Sequence, residues 1–166
     1  MIKFKPIAYN DGDFRAFRMS SAASDATEGA FCVLAASTTR NKMVATLFSG
    51  IATIALNDGG AATVALADSG DVFVVWRENV DIENISATIE ADDEIIGMPL
   101  VRGNEFEVHN TALYNSALTL FTAVGQNVFL NTNGKMCHAT ATNATKLLVG
   151  ECVGTFNSVW LRVRIK

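Results

Sequence analysis

Apolar and polar residues alternate with a period of two along most of the chain, most clearly where Leu161, Val163 and Ile165 fall on one face. Trp160, Arg162, Arg164 and Lys166 fall on the other, which predicts a strand with one face in the core and one wet or docked. Runs rich in β-branched and aromatic residues predict further strands at Phe31 to Ala35, Val44 to Phe48, Ala52 to Leu56, Thr63 to Leu66 and Val72 to Trp76. Turn signals separate them: Asn10-Asp11-Gly12-Asp13, Asn57-Asp58-Gly59-Gly60, Asp68-Ser69-Gly70-Asp71 and Asn131-Thr132-Asn133-Gly134. Each sets a Gly able to take φ > 0 beside Asn or Asp, which tolerate the left-handed region or close an Asx turn.

Residues Ala52 to Gly59 echo Ala62 to Ser69, as two neighbouring strands of a meander would. The offset is too short for a solenoid unit. One helix is predicted, from Thr111 to Ala123, with Thr111 as cap and Leu113, Ala117, Leu118 and Phe121 near one face. Gly97-Met98-Pro99 and Arg102-Gly103-Asn104 punctuate the middle. The pattern therefore predicts an all-β fold, a compact β-sandwich or barrel-like domain with short hairpins and little helix. Residues 19–166 form a single β domain in this reading, its first half and closing part making two sub-layers. Residues 1–18 form an N-terminal arm or hairpin.

Composition is consistent with a packed domain: 166 residues, 49% hydrophobic and only 18% charged. No apolar run approaches the length of a membrane span, and Asn10, Asp11 and Asp13 stand where a secretory signal would need its apolar stretch. A net charge of −4 argues against nucleic acid as the main partner, since phosphate affinity needs clustered Lys and Arg.

Candidate chemistry is sparse. Cys32, Cys137 and Cys152 are an odd number and too few for a disulfide scaffold, so reduced, buried thiols are expected. Cys137-His138 with Cys152 lacks the paired spacing of a zinc site, and neither His109 nor His138 sits at a metal or general-base spacing. Cys32 falls in mid-strand, where a small hydrophobe is expected. The acidic residues Asp92, Asp93, Glu94, Glu105 and Glu107 lack the alternating pattern of a calcium loop and read as a solvated turn and strand face. No phosphate-cradling glycine motif is present, so no cofactor, no metal and no catalytic residue is expected.

Phe4, Tyr9, Phe14 and Phe17 crowd together with Arg15 and Arg18 near the start of the chain. Aromatic-plus-Arg is the composition of interface anchors, which makes these six the candidate interface contact. The same residues equally fit a first hairpin packed on the domain's own core.

Four segments carry a resemblance: Gly125-Gln126-Asn127-Val128-Phe129-Leu130, Asn133-Gly134-Lys135-Met136, Leu148-Val149-Gly150-Glu151-Cys152-Val153-Gly154 and Trp160-Leu161-Arg162-Val163-Arg164-Ile165. In this order they resemble the head decoration, or capsid cement, proteins of tailed bacteriophages. Gly29 to Leu34 and Ala67 to Phe73 are similar to the same group. The resemblance implies a structural virion protein, made in the host bacterial cytoplasm and added to the capsid exterior. It also implies the major capsid protein as partner and a homo-oligomer, a trimer at local three-fold positions. Neither membrane nor nucleic acid enters that picture. Competing expectations are another phage structural subunit, of the tail tube or head completion, and a carbohydrate-binding β domain.

Overall fold

In a computed structural model, the described residues are 4–9, 15–19, 29, 31–35, 44–47, 64–65, 72–76, 94–131, 134–141 and 144–166. Twelve strands run through them: β1 (Phe4–Ala8), β2 (Arg15–Met19), β3 (Phe31–Ala35), β4 (Val44–Leu47), β5 (Val64–Ala65), β6 (Val72–Trp76), β7 (Glu94–Pro99), β8 (Glu105–His109), β9 (Asn127–Asn131), β10 (Met136–His138), β11 (Ala144–Phe156) and β12 (Trp160–Ile165). The fold is all-β, and the strands sort into two sheets.

One sheet has the order β1-β8-β12-β11-β9-β10, with β5 laid parallel to β11 at Leu147 and Leu148. The other is a circuit of pairings, β2-β4-β3-β6-β7, which returns to β2 through the antiparallel β2–β7 pair. Buried side chains of both sheets belong to one continuous core. Phe31, Val72, Val74 and Met98 come from the second sheet; Phe4, Phe106, Val108, Leu130, Leu147, Leu161 and Val163 come from the first. The alternation along β12 is realised as expected: Leu161, Val163 and Ile165 are buried and Arg164 is exposed.

β1 and β2 do not pair with each other as the strands of a first hairpin would. β1 pairs with β8 in one sheet, while β2 pairs with β4 and β7 in the other, so the chain changes sheet between them. Phe4 of β1 buries against a strand far along the chain rather than against its neighbour, while Ile7 and Ala8 stay exposed. Asn10-Asp11-Gly12-Asp13 lies outside the described residues, as do the turn signals at 57–60 and 68–71 and the strand predicted from Ala52 to Leu56. The meander expected of 52–59 and 62–69 lies outside the described residues except at Val64 and Ala65, which pair with β11 in parallel. The fourth turn signal does close a hairpin, between β9 and β10. Gly134 takes φ 72°, and the Asn131 side chain accepts from the Lys135 amide at 2.8 Å.

The predicted helix is instead three short 3-10 turns, Asn110–Ala112, Tyr114–Ser116 and Leu118–Leu120. His109, not Thr111, supplies the cap, its ring accepting from the Thr111 amide. Asn115 and Ser116 take φ of 54° and 49°, which breaks any continuous helix. Asn110 draws the chain back on itself by accepting from the Leu118 amide at 3.1 Å, a side-chain bond that competes with helical ones. Leu113, Leu118 and Phe121 are nonetheless buried, so the apolar spacing was a packing signal.

Candidate interaction surface

The six candidate contact residues separate. Phe4 is fully buried, its ring centroid 5.0 Å from that of Phe106, and so is corrected from a contact residue to a core residue. A phenyl ring has no polar tip to keep in water, and β1 offers it the inner face of the sheet. Tyr9 is 36% exposed just beyond β1. Arg15, Phe17 and Arg18 lie on β2, where the backbone alone is described, and Phe14 lies outside the described residues.

A different surface is built where β1, β8, β12 and β11 lie side by side. Register places Lys5 opposite Glu107, Glu107 opposite Arg162, and Glu105 opposite Arg164, with Arg164 also opposite Glu151. Period-two alternation sends all these side chains to the face away from the core. Both Nε and Nη2 of Arg162 reach Glu107 Oε1, at 3.2 and 2.7 Å. Arg164 reaches Glu105 at 2.8 Å and Glu151 at 3.5 Å, and Lys166 meets the other oxygen of Glu151 at 2.7 Å. Opposite charges on directly opposed strands are the favourable arrangement in a sheet.

Aromatic rings occupy one end of this face. Phe156 is paired with Trp160, and Trp160 with His109, across three neighbouring strands. The Lys5 ammonium stands 3.9 Å from the Trp160 ring centroid, and the Arg162 guanidinium 4.4 Å from that of Phe156. His109 meets Trp160 edge-on at 5.1 Å. The patch thus joins large apolar rings to cations already held in place, the combination that supplies anchors at protein interfaces. Phe156, Val159, Leu120 and Val124 remain exposed, Val124 most of all at 75%.

Glu105 and Glu107, read from the sequence with Asp92, Asp93 and Glu94, are taken up by arginines of β12. The signal for that pairing was present: Glu105, Glu107 and His109 alternate on β8 with the same period as Trp160, Arg162 and Arg164 on β12. Asp92 and Asp93 lie outside the described residues.

The described thiols are held away from reaction. Cys137 and Cys152 are free and buried, and burial pushes the Cys137 thiol up to about 11. Burial also raises Cys152, opposed by a backbone hydrogen bond at Gly154. Both stay protonated near neutrality, and the thiolate is the nucleophilic form. Among the described residues no group of three or more His, Cys, Asp or Glu gathers to hold a metal ion. None of their helices is long and apolar enough to cross a membrane. No protein-family profile, curated protein or solved structure matches the chain.

Proposed function

We propose that the chain is a structural virion protein that docks on the outside of a tailed-phage head and stabilises it by bridging capsid subunits. The observation that supports this reading is one of placement. The four segments that resemble capsid cement proteins follow one another between Gly125 and Ile165, and they lie on or beside the neighbouring strands β12-β11-β9-β10 of one sheet. Consecutive strands commonly lie side by side, and here they bring the four segments into one sheet, as a fold shared with that family requires. The contact surface in this reading is the outer face of the same sheet, with Phe156, Trp160 and Arg162 as anchors and Lys5 at the rim.

A protein that binds only the assembled shell stabilises it by mass action, about 2.7 kcal/mol per site at a hundredfold excess over Kd. The ion pairs of this face are satisfied within the protein, so long-range steering is weak and binding should lose little between low and physiological salt. The test is to mix the protein with expanded capsids and compare the temperature or osmotic shock at which DNA escapes. The expected result is greater resistance, a trimer by native mass measurement, and loss of binding on Trp160→Ala or Phe156→Ala. Equal resistance with saturating protein bound removes the stabilising role. Incorporation into tails rather than heads favours the tail-subunit reading.

A further inference from the structure

Both histidines stand at a strand end with a threonine two residues on, and in both the threonine closes on the ring. Nδ1 of His109 lies 2.9 Å from Thr111 Oγ1 and 3.2 Å from its amide nitrogen. Nδ1 of His138 lies 2.8 Å from Thr140 Oγ1 and 3.3 Å from its amide nitrogen. The two differ at the other ring nitrogen. That of His109 meets no hydrogen-bonding group among the described residues, whereas Nε2 of His138 lies 3.3 Å from Gln126 Nε2.

The backbone dictates how that amide is turned. Ala123 N–H donates to Gln126 Oε1 at 2.9 Å, and a backbone N–H has no acceptor form, so the Gln126 –NH2 must face His138. An amide nitrogen only donates, which requires a lone pair on His138 Nε2 and leaves its proton on Nδ1, where Thr140 Oγ1 accepts. This tautomer leaves the Thr140 N–H facing Nδ1–H at 3.3 Å, an exposed place where water can accept it, and the opposite tautomer would recover that bond. It would also set two N–H groups head to head at 3.3 Å.

We infer that His138 and Gln126 form a proton-gated latch: neutral His138, held as its Nδ1–H tautomer, fastens the segment from Phe121 to Gln126 onto β10, and protonation at Nε2 releases it. The added proton faces a donor. Gln126 can then keep Ala123, or rotate and accept from the imidazolium, but cannot do both. The partners of His138 are Gln126, Thr140 and the edge-on ring of Phe121 at 5.2 Å, with Val128 opposite it on β9. None of these carries a charge that would offset the change. The remaining ties of the segment are the burial of Phe121 in the core and backbone bonds, Phe121 N–H to Leu118 O at 3.0 Å, and Gly125 N–H to Cys152 O and Cys152 N–H to Gln126 O, both at 2.8 Å. These are indifferent to the ring's charge, so release is confined to Thr122 through Val124.

The test uses the ¹⁵N-labelled full chain. Long-range imidazole ¹⁵N–¹H correlation near neutrality should show His138 as the Nδ1–H form and His109, whose Nδ1 accepts from Thr111, as the Nε2–H form. Hydrogen exchange of the Ala123 amide, corrected for the intrinsic effect of pH, should quicken about fivefold as His138 gains its proton, the effect of losing one neutral hydrogen bond. The Gly125 and Cys152 amides should not follow. Gln126→Glu gives Ala123 and the imidazolium an acceptor each, and should abolish the change. An Nε2–H His138 in the unaltered protein overturns the inference. So does an Ala123 amide that responds equally in Gln126→Glu, or in neither protein.

Discussion

Arg162 directs two nitrogens onto a single oxygen of Glu107 while its planar group lies against Phe156, so one side chain ties β12 to β8 and β11 at once. Glu107 is nearly buried in this arrangement, its side chain 11% exposed against 28% for Arg162. A carboxylate so placed depends on its partner. Arg162→Ala should therefore cost about 1–3 kcal/mol, more than an exposed pair would, because Glu107 loses its counter-charge. A double-mutant cycle with Glu107→Gln, followed by urea unfolding, should give a coupling of about 1 kcal/mol that shrinks with salt. Additive single costs would show that the pair is not coupled.

Phe4 and Ile7 provide a contrast within one strand. Phe4→Ala removes a buried ring tilted against that of Phe106 and should destabilise by about 3–5 kcal/mol. Ile7→Ser, at a position 39% exposed, should change stability by less than about 0.5 kcal/mol. Thermal unfolding of the two variants measures the difference. Similar costs would mean that β1 is not seated as described.

Gly150 faces the main chain of β12 so closely that an added Cβ would lie 2.1 Å from the Arg164 carbonyl oxygen. Neither backbone can give way without disturbing the β11–β12 pairing. Gly150→Ala should cost more than about 2 kcal/mol, the scale of overpacking in a closed site. At Gly154 the nearest atoms belong to the Phe156 ring at 3.5 Å, ordinary contact, and Gly154→Ala should be far milder. Circular dichroism melts of both variants give the comparison.

The raised Cys137 thiol makes stability depend on alkaline pH. Its folded value of about 11 exceeds the ordinary 9.0, so the unfolded chain loses the proton first and binds fewer protons in that range. The stabilising contribution is complete below pH 9 and should fall away as pH rises from 9 to 11. Cys137→Ala should flatten that part of the stability profile. Iodoacetamide should label Cys137 at pH 8 only as fast as the protein opens, and rapid labelling of the native protein would contradict its burial.

Where local chemistry decided structure, the sequence was readable. β3 and β6 have the predicted bounds, β12 has the predicted alternation, and the Asn131 to Gly134 turn closes with the expected Asn and Gly roles. The errors arose where distant segments decide. Phe4 and Phe17 looked like one cluster because they are near in sequence, but their strands join different sheets. The spacing of Leu113, Leu118 and Phe121 is real, yet Asn110, Asn115 and Ser116 set the backbone through side-chain bonds and left-handed angles that periodicity does not register. The turn after β11 shows the same limit: Asn157 and Ser158 take φ of 49° and 58° without a glycine to announce them. The outer-face pairing of β8 with β12 was written in two matching alternations, but only their adjacency makes it a surface.

The partners of β8 bear on how quickly the molecule can form. Phe4 registers with Val108, and Val108 with Leu161, so both flanks of this strand are supplied by segments remote along the chain. The parallel contact of Val64 with Leu147 is likewise remote. Loop-closure entropy must be lost before such pairings contribute anything, which places the chain among slow folders, on millisecond-to-second timescales. Until β12 docks, the Glu105 to His109 edge is open to strands of other molecules, and refolding yield should fall as protein concentration rises.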